Sequence, residues 1–405
     1  MLLPGLEAQG DSGQLREAAT TADIEAAHRS HDRLNFQPIA PMNLSTHKQR
    51  LPGWAAFAAV AVASAGLAAW VEHEARKARR RHPAPGRFIH IDGVRLHYRI
   101  EGAGEAVLLV HGNMVAGADF EASGLLARLA QDHRVLVIDR PGYGHSDRTR
   151  GQSWTPAEQA RLLFRAAVAL GFERFAVVGH SLGAQVAIAM ALGHPAHVNR
   201  LVLVSGYYFP SLRPDAMAAS LAATPWLGDA MRYTVGSLSA RLLLGQAVHG
   251  MFAPQRVPPA FDEALPREML LRPLQRRATA EDQAHTVPQA RTLRGHYAAL
   301  KLPVTLIAGD EDRIVGGRQQ SGRLHKVLAN SRYRLLQGVG HMAHYEMQAQ
   351  ELIADAVAGV DDIARARTPA RRPVQDRVSQ GPSMAARVSD TAMDQSRSST
   401  SSGIA

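Results

Sequence analysis

Six short apolar runs dominate the middle of the chain: AVLLVHG, HRVLVIDRPG, RFAVVGHS, NRLVLVSG, PVTLIAGD and RYRLLQGVGH. Each ends in a loop that begins with glycine, aspartate, histidine or serine. Helix-compatible stretches such as PAEQARLLFRAAVALG (156–171) lie between several of them. Continuous apolar strands alternating with helices specify a mostly parallel sheet covered on both faces. Ahead of the first run, RFIHIDGVRLHYRIEG alternates around Asp92-Gly93, the signature of a hairpin. The fold class is therefore α/β. Residues 207–297 break the rhythm between the fourth and fifth runs. They are helical and loop-like, with prolines, and read as a cap inserted over the carboxyl edge of the sheet.

The 405 residues, 46% of them hydrophobic, suffice for one large domain plus appendages. The core falls in two parts, 87–206 and 298–364, on either side of the cap. Residues 1–53 are polar and mixed and are expected to be poorly ordered, and Met42 offers an alternative start. Residues 54–71 read WAAFAAVAVASAGLAAWV without a charge. As a helix they span about 27 Å, enough for a bilayer core, with Trp54 and Trp70 at the two ends where interfacial tryptophans belong. A transmembrane or signal-anchor helix is the expectation. A signal peptide beginning at Met42 and cleaved after Ala63-Ser64-Ala65 is the alternative, and a buried helix is the third. The basic linker, 72–86, carries Arg76, Lys77, Arg79, Arg80 and Arg81. It favours the anchor, because such a cluster resists translocation. The tail, 365–405, is rich in Arg, Ser, Thr and Pro, the composition of disorder.

The net charge of +10 gathers largely in that linker and that tail. Neither interleaves aromatics with its basic residues as a base-stacking surface would, so nucleic acid is not an expected partner. Cysteine is absent, which removes disulfides, thiolate metal sites and cysteine nucleophiles. No group of His, Asp and Glu has metal-ligand spacing, and no dinucleotide or phosphate loop is present. Neither a metal nor a cofactor is expected.

Gly179-His180-Ser181-Leu182-Gly183 matches G-x-S-x-G, preceded by strand-forming FAVV and followed by AQVAIAM. In that setting a sharp strand-to-helix turn lifts the serine hydroxyl clear of the sheet, and bulky neighbours would clash there. The bland alternative is an ordinary strand–helix turn with a capping serine. A serine hydroxyl needs a base, and the base needs an orienting carboxylate. GVGHMAHYE offers His341 and His344. His341 follows a strand and two glycines, so it is favoured. AGDEDRIV offers Asp310, Glu311 and Asp312. Asp312 lies furthest into the loop and is favoured, with Asp310 serving the turn. For the oxyanion, the N–H of Leu182 and a donor from Asn113, or Met114, are expected. Whether Asn113 uses its backbone or its side chain stays open. Ser146, His111 and His180 are read as structural, with His180 pointing away from the nucleophile.

HGN, DRPGYGHSD, GHSLG, GDEDRIV and GVGHMAHYE occur in the order found in the α/β-hydrolase superfamily, which this chain resembles over about residues 87–362. The likeness is to the capped serine branch of esterases, C–C bond hydrolases and perhydrolases. The resemblance implies a central, mostly parallel sheet flanked by helices, with Ser181, Asp312 and His341 as the catalytic triad. A serine in place of aspartate disfavours the epoxide-hydrolase and dehalogenase branches. The expected activity is cleavage of a small-molecule, ester-like substrate of apolar character. The same triad turned to C–C hydrolysis or perhydrolysis is an alternative, as are a non-catalytic binding protein on the same fold and, from the anchor alone, a lipid-active enzyme working at the bilayer. By the charge rule, the catalytic domain is expected on the cytoplasmic side of a single span through 54–71. A cleaved signal would instead export it.

Overall fold

The computed structural model describes residues 53–360. The expectations for 1–52 and 361–405 lie outside the described residues. Eight strands form one sheet: β1 (Arg87–Ile91), β2 (Val94–Glu101), β3 (Glu105–Val110), β4 (His133–Ile138), β5 (Phe175–His180), β6 (Val198–Val204), β7 (Val304–Gly309) and β8 (Ser331–Leu336). Their order is β1-β2-β4-β3-β5-β6-β7-β8. β2 runs antiparallel to β1 and β4, and every other pairing is parallel. The hairpin turns where the sequence places it. Asp92 and Gly93 both adopt positive φ, at 51° and 76°, the conformation that Asp-Gly supplies at least cost in a two-residue turn.

The parallel strands are apolar throughout because helices cover both faces. Leu108, Val110, Val177 and Leu203 pack against Pro156–Ala169 and Leu182–Gly193. Val107, Leu109, Val178 and Val204 pack against Leu125–Leu129 and Met347–Ala358 on the other face. Helix Pro156–Ala169 starts where TPAE predicts. Thr155 Oγ1 accepts the Glu158 N–H at 3.2 Å, and proline fills the first helical position.

Between β6 and β7 the cap consists of helices Pro214–Ala223, Leu227–Tyr233, Val235–Phe252, Pro259–Ala264, Arg267–Leu270 and Pro273–Leu293. Its last helix is tied down by charge. Asp282, with no exposed surface, receives Arg140 at 2.5 Å and Arg148 at 2.9 Å, and both side chains are equally buried.

The apolar N-terminal segment is helical from Gly53 to Arg81. The expected linker is thus mostly a continuation of the helix. EHEARKARRR contains no breaker, and Glu72 supports Arg76 one turn on at 3.0 Å. Only HPAPG ends it. The helix is long and apolar enough to cross a membrane, and 6% of its apolar window is buried.

Candidate active site

Ser181 sits between the end of β5 and the first residue of helix Leu182–Gly193. Its backbone is strained, with φ 54° and ψ −119°, a conformation costing a non-glycine residue about 1–3 kcal/mol. Two contacts hold it there. The Ser181 N–H donates to Val204 O on β6 at 2.9 Å. The flanking glycines let backbones meet: a Cβ on Gly179 would lie 2.6 Å from Gly183 O, and one on Gly183 would collide with the carbonyls of Val110 and His111. The G-x-S-x-G spacing is therefore a packing requirement between the β3 end and the turn.

His341 and Asp312 arrive from loops after β8 and β7. His341 Nε2 lies 2.9 Å from Ser181 Oγ, and its Nδ1 lies 2.9 Å from Asp312 Oδ2. With Nδ1–H donated to the carboxylate, Nε2 is free to accept the serine proton. Asp312 Oδ1 accepts two backbone N–H groups, from Ile314 at 2.9 Å and Val315 at 3.0 Å. Burial pushes this carboxyl's pKa up. The His341 imidazole and the two amides outweigh burial and hold the pKa below the usual carboxylate range. Asp310 is spent elsewhere, accepting Gly338 N–H at 2.7 Å.

The candidate oxyanion donors resolve in detail. The Asn113 side chain is turned to the cap. Its Nδ2 donates to Thr279 O at 3.2 Å and Gln283 Oε1 at 3.1 Å. Its Oδ1 accepts Met114 N–H at 3.0 Å, which removes Met114 as a donor. The backbone N–H groups of Asn113 and Leu182 have no hydrogen-bond partner among the described residues. Both residues line the same cavity as Ser181 and His341. That cavity measures about 640 Å³ and is largely apolar, with Leu244, Met251, Leu270, Ile314 and several alanines in its wall. A separate cavity of about 540 Å³ lies around His97, Asp139 and His145 and contains no serine.

The residues read as structural take such places. His111, fully buried, donates from Nδ1 to Gly112 O at 2.8 Å and accepts Arg140 N–H on Nε2 at 2.9 Å. Burial and the neighbouring Arg140 lower its pKa to about 4. Ser146 Oγ bridges His97 N and Asp139 O.

Spacing missed one arrangement. Asp119, His180 and His344 come together beneath His341, buried, with potential ligand atoms within 4.8 Å of one another. Spacing along the sequence gives no sign of it. The fold joins positions 225 residues apart, Asp119 and His344, at 2.9 Å. Tyr345 OH donates to the same carboxylate at 2.8 Å. His180 faces the His341 carbonyl at 3.3 Å, away from the serine hydroxyl, and burial holds its pKa well below the ordinary value. Two hydrogen bonds already claim the Asp119 carboxylate, so the cluster is a brace under the His341 loop. A network also missed by spacing joins Tyr143 OH to Asn113 Oδ1 at 2.5 Å and Asp282 Oδ2 at 2.9 Å.

A carboxylate-oriented imidazole on a serine at the carboxyl edge of a mostly parallel sheet, roofed by a helical cap, is the arrangement of a hydrolase. The family whose sequence model matches residues 105–347 is described as the alpha/beta hydrolase fold, and the chain belongs to it. Its relatives include 2-hydroxymuconate semialdehyde hydrolase of Pseudomonas putida, 27% identical over 266 residues, which are 65% of this chain and 90% of that protein. Among solved structures, a membrane phospholipase A superposes with a TM-score of 0.54 at 20% identity, covering 76% of this chain and 98% of that one. A thermophilic esterase from Thermogutta terrifontis gives 0.55 at 21%, covering 70% and 100%. At those identities the two structures show the fold.

Proposed function

We propose that the protein is a membrane-anchored serine hydrolase that cleaves carboxylic esters of apolar acids or alcohols. The observation that carries the reading is the unbroken Ser181–His341–Asp312 relay, with both links at 2.9 Å, opening into an apolar cavity. Ser181 Oγ attacks the ester carbonyl as its proton passes to His341 Nε2. Asp312 stabilises the resulting imidazolium. The negative charge that develops on the carbonyl oxygen is held by the N–H groups of Asn113 and Leu182 at a helix N-terminus, where the dipole also favours it. The C–O bond then breaks, and His341 returns the proton to the leaving alcohol. Water, deprotonated by His341, attacks the acyl-enzyme in the same way and releases the acid and free Ser181. No step calls on a cofactor. The apolar helix anchors the chain, and the arginines after it keep the catalytic domain on the cytoplasmic side.

A second reading draws on the muconate-semialdehyde hydrolase relative: the same serine, base and oxyanion donors cleaving a C–C bond next to a carbonyl. A panel of aryl and alkyl esters beside a ring-cleavage dienoate separates the two. The reading as a whole is tested with a fluorophosphonate and intact-mass measurement. One adduct is expected on the full chain and none on Ser181→Ala, whose ester turnover should fall by about 10³-fold or more. Absence of an adduct on folded wild type, or turnover of Ser181→Ala near wild type, defeats it.

A further inference from the structure

The exposed apolar side chains are unevenly distributed. Among the described residues, twenty-one large hydrophobic side chains are exposed; ten lie in the cap between positions 212 and 243, and five on the N-terminal helix between 54 and 70. Trp226 is 87% exposed, Leu242 81% and Val235 75%. Soluble surfaces scatter such residues singly, and a contiguous patch marks a surface that meets something apolar.

The helices that carry the patch turn large apolar side chains outward, with only Asp215, Ser220, Ser239, Arg241, Gln246 and His249 as exposed polar residues among them. In Pro214–Ala223, Ala218, Ala219 and Ala222 face the cavity, while Met217 and Leu221 face out. In Val235–Phe252, Ala240, Leu244 and Ala247 face the cavity, while Leu238 and Leu242 face out. A helix with one apolar face on a cavity and large apolar side chains exposed on the other is stable when that second face also meets an apolar phase. One phase is the cavity. The patch's continuity with the N-terminal helix identifies the other. The Arg241 guanidinium lies 4.6 Å from the centre of the Trp70 ring. Val71 and Ala75 face Ser237 and Leu271 across a narrow gap. Position 70 is where the uncharged run ends and the charged run begins, the level at which a spanning helix leaves the hydrocarbon. Cap helix Val235–Phe252 therefore stands at the boundary between lipid and water. Its arginine is placed to reach headgroups, and its leucines and Trp226 to enter the acyl region.

We infer that the outer face of the cap is a lipid-binding surface, seated in the bilayer beside Trp70, and that the substrate is an ester resident in that bilayer. The second half rests on the proposed hydrolase activity, and the first does not. With the cap between bilayer and cavity, one layer of helix separates acyl chains from the space over Ser181.

The docking half is tested with the full chain reconstituted in phosphatidylcholine vesicles whose acyl chains carry bromine near the headgroup. The emission lost in Trp226→Phe isolates the Trp226 signal from Trp54, Trp70 and buried Trp154. That signal should be quenched about twofold or more, as for an interfacial indole. An unquenched Trp226 overturns the proposal, whether water, a second copy of the chain or another segment of it covers the face. The substrate half is tested with Trp226→Asp/Leu242→Asp, neither residue lining the cavity. Hydrolysis of a long-chain ester held in the vesicles should fall about tenfold or more, a difference of roughly 1.4 kcal/mol. Hydrolysis of a water-soluble short-chain ester should stay within about twofold of wild type. Equal loss on both esters, or loss on neither, overturns it. If wild type cleaves neither ester, the hydrolase reading fails with the substrate half, and the bromine result still decides docking.

Discussion

Asp282→Asn exposes how the cap is held. Asp282 reaches from cap helix Pro273–Leu293 into the core and meets two guanidinium groups, Arg140 and Arg148, none of the three side chains having exposed surface. Burial alone would push the carboxyl's pKa up, and the two arginines reverse that and keep it ionised. The asparagine keeps the shape, removes the charge and aims an NH₂ at an arginine. Arg148 retains Glu281 at 2.7 Å. Arg140 retains the Gln159 amide oxygen and the carbonyls of His111 and Gly112, but no carboxylate. Leaving a buried cation without its counter-charge costs about 3–5 kcal/mol. In a protein of this size that lowers the melting temperature by roughly 10 °C.

The assay is thermal unfolding of the full chain in detergent, followed by near-ultraviolet circular dichroism, with Asp147→Asn as control. Asp147 and Arg95 form an exposed pair at 3.2 Å, so the control should cost less than about 1 kcal/mol. Asp282→Asn should also lower kcat, because Tyr143 OH, poised between Asp282 and Asn113, loses the anion that fixes it on the cap side. If Asp282→Asn melts within about 2 °C of wild type, the buried network contributes no net stability and the cap is held by apolar packing alone.

Asp312→Asn, which cannot favour the same His341 tautomer, should cut kcat by about 10⁴-fold while the fold survives, as checked by melting and single-turnover kinetics. Asn113→Ala should lower kcat by less than about tenfold, because its side chain serves the cap and its backbone N–H remains; a loss of about 10²-fold or more would mean that the side chain is the oxyanion donor. Acid should destabilise the protein before its carboxylates titrate. His111 is held neutral, its pKa lowered from 6.5 to about 4, so the unfolded chain binds the extra proton between those values and stability falls as pH drops through that window. The loss from this residue alone reaches about 3 kcal/mol by pH 4. Asp139, with its pKa lowered from 3.8 to about 2, contributes stability that is lost only below pH 3.8, so it does not offset the histidine. Melting temperatures between pH 7 and pH 4.5 check the sign; a flat profile refutes it.

The candidate site was legible because its requirements are local. Ser181 needs a strand before it, a helix after it and glycines on either side, all within a dozen residues. Asp312 and His341 each follow an apolar strand directly, so their place at the carboxyl edge comes from strand order alone. The choice of Asp312 over Asp310 was also a local matter, since the residue nearest the strand end is taken by the turn. The brace under the His341 loop and the Arg140–Asp282 pair that ties down the cap had no such signature. Asp119 and His344 sit on unrelated elements, as do Arg140 and Asp282, and only the closed fold makes neighbours of them. Nothing in RRATAEDQAH distinguishes the acid at 282 from the one at 281, yet the first has no exposed surface and the second is 24% exposed. A single residue of helical phase separates them.

The cap shows a different limit. Its apolar sequence fits a pocket wall and a packed interior equally well, because both select the same residues. The structure divides it into parts. Leu244 and Met251 are buried under the cap, while Leu242 and Leu238 stand in the open. Periodicity could not have revealed this division, since an amphipathic pattern appears only when one side of a helix meets water. Where both sides meet apolar material the pattern disappears, and what remains in the sequence is composition. That AMAASLAA and RLLLGQAV offer only Ser220, Arg241 and Gln246 as polar residues is thus itself informative. Beside an apolar helix of spanning length, exposed leucines with few polar residues among them are what the proposed bilayer-facing surface requires. Exposed leucines that would be a liability in water become contacts once lipid is the solvent.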